Sequence, residues 1–311
     1  MMAKKTAKKA KPAKPASKAG GFGSAKKPVA AVIPMVQINT GAEAPALCFG
    51  TYKANGVELE EALKSAISAG YRHFDTARAY QNEALVGAAI AASGIPRKDF
   101  FITTKIWATD HGEEQTRKAI EASLRELGTQ YVDMMLIHGP DNGGSSAEEI
   151  CELRQQSWRV MEELHKAGTL RAIGVSNFEP RHIDGILQSG SVTPAVNQIE
   201  CHAKFQQAEL RAYCSTHGIL IESFGSIGAK GLRAEPAVQQ IAKACKRTPA
   251  QVSLRYSLQR GASVVLAKSL TPKRIAENAK LWDFELSDED MASLDVLGTS
   301  SRSYWDNSQV P

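Results

Sequence analysis

Eight short apolar or β-branched runs alternate from end to end of this chain with polar loops and amphipathic stretches of helical period. That alternation argues for parallel strands joined by right-handed crossovers, and eight such units predict an α/β fold of the (β/α)8 TIM-barrel class. A second observation removes the main competitor. An open doubly wound sheet that binds a dinucleotide carries a GxGxxG turn between its first strand and first helix. The nearest match here, Gly21-Phe22-Gly23, has no strand before it. Length does not decide, since 311 residues suit two domains or one barrel with extensions.

The elements follow in order. MVQINTGAEAPALCFGT (35–51) reads as two short strands around Asn39-Thr40-Gly41, an N-terminal β-hairpin. Barrel strands are expected at 46–50, 71–75, 100–105, 131–138, 170–175, 195–199, 219–224 and 264–267. The helix at 57–70 places Leu59, Leu63, Ala66 and Ile67 on one face and stops at Gly70. Further helices are expected at 83–94, 113–128, 148–168, 180–190, 206–217 and 249–260, with extra helices toward the C-terminus.

Residues 1–30 are different in kind. The segment 1–28 carries nine lysines and no acid, so the net charge of +5 becomes about −4 once those nine are removed. A basic pI would point to nucleic acid or an anionic membrane, but here the basicity belongs to a Lys/Ala/Pro/Gly-rich tail that cannot build a core. Residues 1–30 are therefore expected to be a disordered tail and 31–311 a single (β/α)8 barrel domain. Nucleic acid is not an expected partner. The tail lacks the apolar segment of a secretory signal and has lysines where mitochondrial presequences favour arginine. The five cysteines are odd in number and show no CxxC pair, which fits reduced thiols, no zinc site and a cytoplasmic location, with organelle import through the tail as the alternative. No stretch is long and apolar enough for a membrane helix.

In such a barrel the reactive site lies at the carboxyl ends of the strands. Three consecutive strands there end in HFDT, ITTK and LIHG, which places Asp75, Lys105 and His138 side by side, with Tyr80 in the loop after the first. Adjacent parallel strands bring their ends to within about 5 Å. A free tyrosine is a poor acid at neutral pH, but an adjacent ammonium lowers its pKa. Lys105 is expected to supply that charge, Asp75 to hold Lys105, and His138 to donate to the same substrate oxygen, giving an acid and an oxyanion site for a carbonyl.

At these residues the sequence resembles the aldo-keto reductases, from about residue 35 to 300. The motifs HFDTARAY, ITTKIW and LIHGP are similar to those that carry the family's Asp–Tyr–Lys–His tetrad. The resemblance implies NADPH-dependent reduction of aldehydes or ketones, with Tyr80 as proton donor. It also implies cofactor contacts from Gly50 and Thr51, from Ser176, Asn177 and Gln198 at the nicotinamide carboxamide, from Phe224 stacked on the ring, and from Ser226. KSLTPKRIAEN (268–278) would hold the adenosine 2′-phosphate with Lys268, Ser269 and Arg274 and the adenine with Glu277 and Asn278. A histidine at 138 favours carbonyl over carbon–carbon double-bond reduction, because similar steroid double-bond reductases carry Glu there.

Departures from the family pattern fall in the substrate pocket, expected to comprise Tyr52, Trp107, Gly139, Tyr304 and Trp305. Gly139 stands where many members carry a bulky tryptophan, which predicts extra room unless Trp107, Tyr304 or Trp305 fills it. The partner expected is a small-molecule carbonyl, with the protein acting as a monomer and no metal. An NADPH-binding scaffold or sensor with little catalysis is the alternative on the same fold.

Overall fold

A computed structural model describes residues 31–299 and 302–311; the tail expected at 1–30 lies outside them. Two short strands, β1 (Met35–Gln37) and β2 (Glu43–Pro45), pair antiparallel. The turn between them needs Gly41, which sits at φ 81° in the left-handed region that glycine enters without steric cost. This is the expected hairpin.

Eight parallel strands then close a barrel: β3 (Leu47–Gly50), β4 (His73–Asp75), β5 (Phe101–Ile106), β6 (Met134–Ile137), β7 (Ile173–Ser176), β8 (Val196–Glu200), β9 (Leu220–Phe224) and β10 (Val264–Ala267). Each pairs with the next in sequence, and β10 closes against β3. The strand predicted at 131–138 is shorter, because Tyr131–Asp133 contribute only a bridge from Val132 to Leu170. The hairpin seals one end. Ile38 and Ala44 pack with Phe101, Met134, Ala195 and Val196 at the amino ends of the strands, and Asn39 donates to the carbonyls of Thr193 and Pro194.

Helices cover the outside: α1 (Gly56–Ala69), α2 (Glu83–Ala92), α3 (Glu113–Leu127), α4 (Ala147–Lys166), α5 (Pro180–Ser189), α6 (Ala208–Thr216), α7 (Pro236–Cys245), α8 (Pro249–Gln259), α9 (Pro272–Asn278) and α10 (Asp288–Asp295). Their ends follow local chemistry. Asn55 caps α1 through a bond from Gly56 N, and Gly70 ends it at φ 103°, its N–H reaching the carbonyls of Ala66 and Ile67. Packing between α2 and α3 depends on Gly87, where a Cβ would stand 2.3 Å from the Leu127 carbonyl oxygen. The sequence reading lacks α7. Its Pro236 start and its apolar stripe of Val238, Ile241 and Ala242 form a second helix in the crossover from β9 to β10, so the extra helices are not confined to the C-terminus. Among the described residues no helix is long and apolar enough to cross a membrane.

Beyond α10 the chain returns to the carboxyl end of the barrel as an irregular strap, residues 302–311. Arg302 pairs with Glu179, Arg181 donates to the carbonyls of Asn307, Ser308 and Val310, and buried Arg154 donates to the Pro311 oxygen. The strap therefore lies on the face opposite the hairpin.

Candidate active site

The four residues expected to act together are brought together. Asp75 ends β4 in register with Thr103 of β5, so Lys105, two residues further along β5, projects from the same face of the sheet. Lys105 Nζ lies 2.6 Å from Asp75 Oδ2, donates to the Thr76 carbonyl at 3.0 Å, and stands 3.5 Å from the Tyr80 hydroxyl. On the other side Tyr80 OH is 3.3 Å from His138 Nε2. Both members of the ion pair are buried, Lys105 at 0% and Asp75 at 2% side-chain exposure.

Tyr80 closes a 3-10 turn that Asn82 fastens. Asn82 Nδ2 donates to the carbonyls of Thr51 and Ala54, and Oδ1 accepts from Thr76 Oγ1 at 2.6 Å. Both N–H bonds of that buried amide go to the loop after β3, and its oxygen holds the loop after β4. Asn82 also stands at the N-cap position of α2. Its side chain makes no cap bond.

Electrostatics departs from expectation at one point. Desolvation pushes the half-buried Tyr80 up to about 12; Lys105 lowers it, but Asp75 raises it again, so the expected net depression is absent. Burial is the largest influence on Lys105 and acts to lower it, yet Asp75, with Tyr80 and Glu222, together outweighs it and holds the ammonium above its ordinary value. His138 is held well below 6.5 by burial and by Lys105. Its ring is thus neutral at physiological pH, and its buried Nδ1 has no partner among the described residues.

Burial likewise lowers His73, His111 and His182 from 6.5 to about 4. A histidine that protonates more readily unfolded than folded gives stability that is complete above the unfolded pKa and lost as pH falls toward the folded one. Tm is therefore expected to hold from about pH 8 to 7 and to decline progressively between about 6.5 and 4. A Tm that is flat across that interval by scanning calorimetry would contradict these burial effects.

The tetrad opens into a cavity of about 690 Å3. Gly50, Tyr52, Ser176, Asn177, Gln198, Phe224, Lys268, Ser269, Arg274, Glu277, Asn278, Tyr304 and Trp305 line it, as expected. Two expected cofactor residues face elsewhere. Thr51 Oγ1 donates to the Asp75 carbonyl, and Ser226 Oγ is buried among Ser223, Ser257 and the Cys201 carbonyl, because the β9 loop turns that hydroxyl inward. Of the expected substrate-pocket residues, neither Gly139 nor Trp107 lines the cavity. Asn307 Nδ2 of the strap lies 3.8 Å from the position of a Cβ at Gly139, and Trp305 stacks edge-on to His138 at 5.1 Å, with Trp107 5.0 Å from His138 and 5.6 Å from Trp305. The room predicted at Gly139 is taken by the strap.

The strap is held there by a residue that sequence reasoning misses. Glu200, at the end of β8, accepts from His202 Nε2 at 2.9 Å and from the backbone N–H groups of Ser303 and Tyr304. These bonds hold Glu200 below its ordinary pKa against the desolvation that would raise it. Arg233 and Gln239, from the α7 region, also line the cavity unannounced.

Several groups are suited to a dinucleotide phosphate. Arg274 is exposed at the cavity and has no ion pair among the described residues, whereas most arginines of this chain have one. Lys268 Nζ donates to the Lys53 carbonyl, and burial together with Lys53 lowers its pKa, as expected of two cations waiting for an anion. At the inner end, Asn177 adopts φ 62° and spends its N–H bonds on the His138 carbonyl and Ser176 Oγ. Its Oδ1 and that of Gln198, Oε1, make no hydrogen bond among the described residues. Two acceptors there match the two N–H bonds of a carboxamide. The residues fit a nicotinamide dinucleotide phosphate.

Comparison with known proteins is consistent throughout. The profile of the Aldo/keto reductase family matches residues 46–298. An aldo-keto reductase of Mycolicibacterium vanbaalenii is 45% identical over 273 residues, spanning 88% of this chain and 95% of that protein. The glyoxal reductase of Bacillus subtilis is 41% identical over 268 residues, 86% of this chain and 94% of that one. In three dimensions, an aldo/keto reductase crystal structure from Brucella melitensis superimposes with a TM-score of 0.81 at 40% identity, covering 86% and 99% of the two chains.

Proposed function

This chain belongs to the aldo/keto reductase family, an oxidoreductase family acting on carbonyls, and on that premise we propose that it reduces aldehydes or ketones to alcohols with NADPH. The observation that carries the reading is the contact of one hydroxyl, Tyr80 OH, with both Lys105 Nζ and His138 Nε2 at the floor of the cavity. A reduced nicotinamide, when bound, supplies hydride to the carbonyl carbon.

The chain's own residues do the rest. A carbonyl oxygen seated between Tyr80 OH and His138 Nε2 meets two neutral donors, provided His138 carries its proton on Nε2. Nδ1 is then the lone-pair atom, which agrees with its lack of any acceptor. As negative charge develops on that oxygen, Tyr80 transfers its proton and the resulting phenolate is stabilised by the Lys105 ammonium. The high pKa of Tyr80 in the resting site keeps it protonated over the whole physiological range. Asp75 holds Lys105 in place and charged. Tyr52 and Trp305 wall the carbonyl's substituents, with Trp107 packed against Trp305 and no charged side chain among the three, which favours uncharged aromatic or small aliphatic carbonyls.

Choice of cofactor is assigned to Arg274 with Lys268 and Ser269, through a planar fork suited to the 2′-phosphate. Arg274→Ala is expected to weaken NADPH binding by about 10- to 100-fold, the loss of one charge-assisted contact, and NADH binding by less than about threefold. Titration of both cofactors by fluorescence measures this. Equal losses would remove Arg274 from phosphate recognition. Oxidation of NADPH against a panel of aldehydes, ketones and quinones tests the activity itself; tight binding with no turnover would favour a sensor or scaffold.

A further inference from the structure

One buried ionisable group has no part in the chemistry above. Glu222 lies within β9 at 1% exposure, in lateral register with Gln198 of β8. Its Oε2 accepts from Gln198 Nε2 at 3.1 Å, while the same nitrogen donates to Asp75 Oδ2 at 2.9 Å. A primary amide has two N–H bonds, so both are spent on carboxylates.

Nothing else in the core accounts for this carboxyl. Glu222 Oε1 is buried without a hydrogen-bond partner among the described residues. The nearest polar neighbour, His73 Nε2, stands 3.7 Å away and is already paired with Thr103 Oγ1, while His73 Nδ1 faces the Pro45 carbonyl. Cys48 Sγ lies beside them, the three ligand atoms falling within 4.8 Å of one another, but it forms no hydrogen bond to Glu222. Burial raises the pKa of Glu222, as does Asp75. A buried carboxyl with a single hydrogen bond is costly where an apolar side chain would pack more cheaply. Its one contact is therefore the place to look for its role.

We propose that Glu222 is a positioning residue for the cofactor: with Asp75 it captures both N–H bonds of the Gln198 amide and so presents Gln198 Oε1 to the cavity as a fixed acceptor for the nicotinamide carboxamide. The inference rests on the nicotinamide reading above. Glu222 Oε2 and Asp75 Oδ2 both act as acceptors here, so a flipped amide would set Gln198 Oε1 against two acceptor oxygens and lose two hydrogen bonds at once. Without Glu222 a flip forfeits only the bond to Asp75, and Gln198 then offers the carboxamide a mixture of donor and acceptor.

The test compares NADPH with its reduced 3-acetylpyridine analogue, in which a methyl group replaces the carboxamide NH2. The full-length protein and its Glu222→Ala, Glu222→Met, Glu222→Gln and Gln198→Leu variants are titrated with both by calorimetry. Glu222→Ala is expected to weaken NADPH about tenfold and the analogue less than about twofold. Glu222→Met, of similar length but without an acceptor, repeats the measurement without opening a cavity. Glu222→Gln keeps an acceptor oxygen and should retain most of the affinity. Gln198→Leu should reproduce the selective loss, and adding Glu222→Ala to it should cost nothing more. Equal losses for both cofactors, or none, would overturn the proposal, since a merely structural role does not distinguish the two. Failure of the unaltered protein to bind NADPH would instead overturn the nicotinamide reading itself.

Discussion

Tyr80→Phe is expected to lower kcat for carbonyl reduction by about 100- to 10,000-fold, the range spanned by a positioned general acid. The change removes a single oxygen, the one 3.3 Å from His138 Nε2 and 3.5 Å from Lys105 Nζ, and leaves the ring against Tyr52. NADPH affinity should therefore change by less than about twofold. Single-turnover kinetics, with cofactor binding measured separately, distinguishes the two effects. A variant that turns over near the normal rate would end the assignment of Tyr80 as proton donor.

The second large effect is expected at Lys105. Lys105→Met removes the ammonium from a pair buried at 0% and 2% exposure and leaves Asp75 with only the Gln198 N–H bond to its Oδ2. An uncompensated buried carboxylate costs about 3–5 kcal/mol, and the tyrosine loses the charge that stabilises its phenolate. Both stability and turnover should drop. The double variant Lys105→Met/Asp75→Asn separates them: removing the orphaned charge should restore most of the Tm while kcat stays about 100-fold or more below normal. Recovery of activity along with stability would mean that Lys105 only holds the fold.

Much of this site is legible in the linear chain because strand ends are local. An apolar run that breaks on Asp75, Lys105 or His138 marks the carboxyl end of a barrel strand, and the alternation of strands and helices makes those three strands neighbours. The cluster at 268–278 proposed for the cofactor phosphate is equally local, a strand end and the single helix α9. What could not be read depends on partners far apart in the sequence. The space at Gly139 is decided by Asn307, and the strap that carries Asn307 is decided by Glu200. Nor does a motif reveal which way a hydroxyl turns, so Thr51 and Ser226 read as cofactor contacts although their oxygens point into the protein. Lys105 reads as the charge that lowers Tyr80 because sequence places the two together; it does not weigh desolvation against that charge. Glu222 did leave a signal, a carboxylate inside the apolar run LIESF. Its significance required seeing that it shares an amide with Asp75.

The two ends of the described chain leave the barrel on opposite faces. Ala31 bonds to the Ala69 carbonyl near the hairpin-sealed end, whereas residues 302–311 form a wall of the cavity. Coupling the protein to a solid support at Ala31 would therefore place the attachment on the face away from the mouth. Coupling through the last residues would pull on the segment that seats Trp305 over His138, so the immobilised protein would differ in what it accepts, as well as in how fast it works.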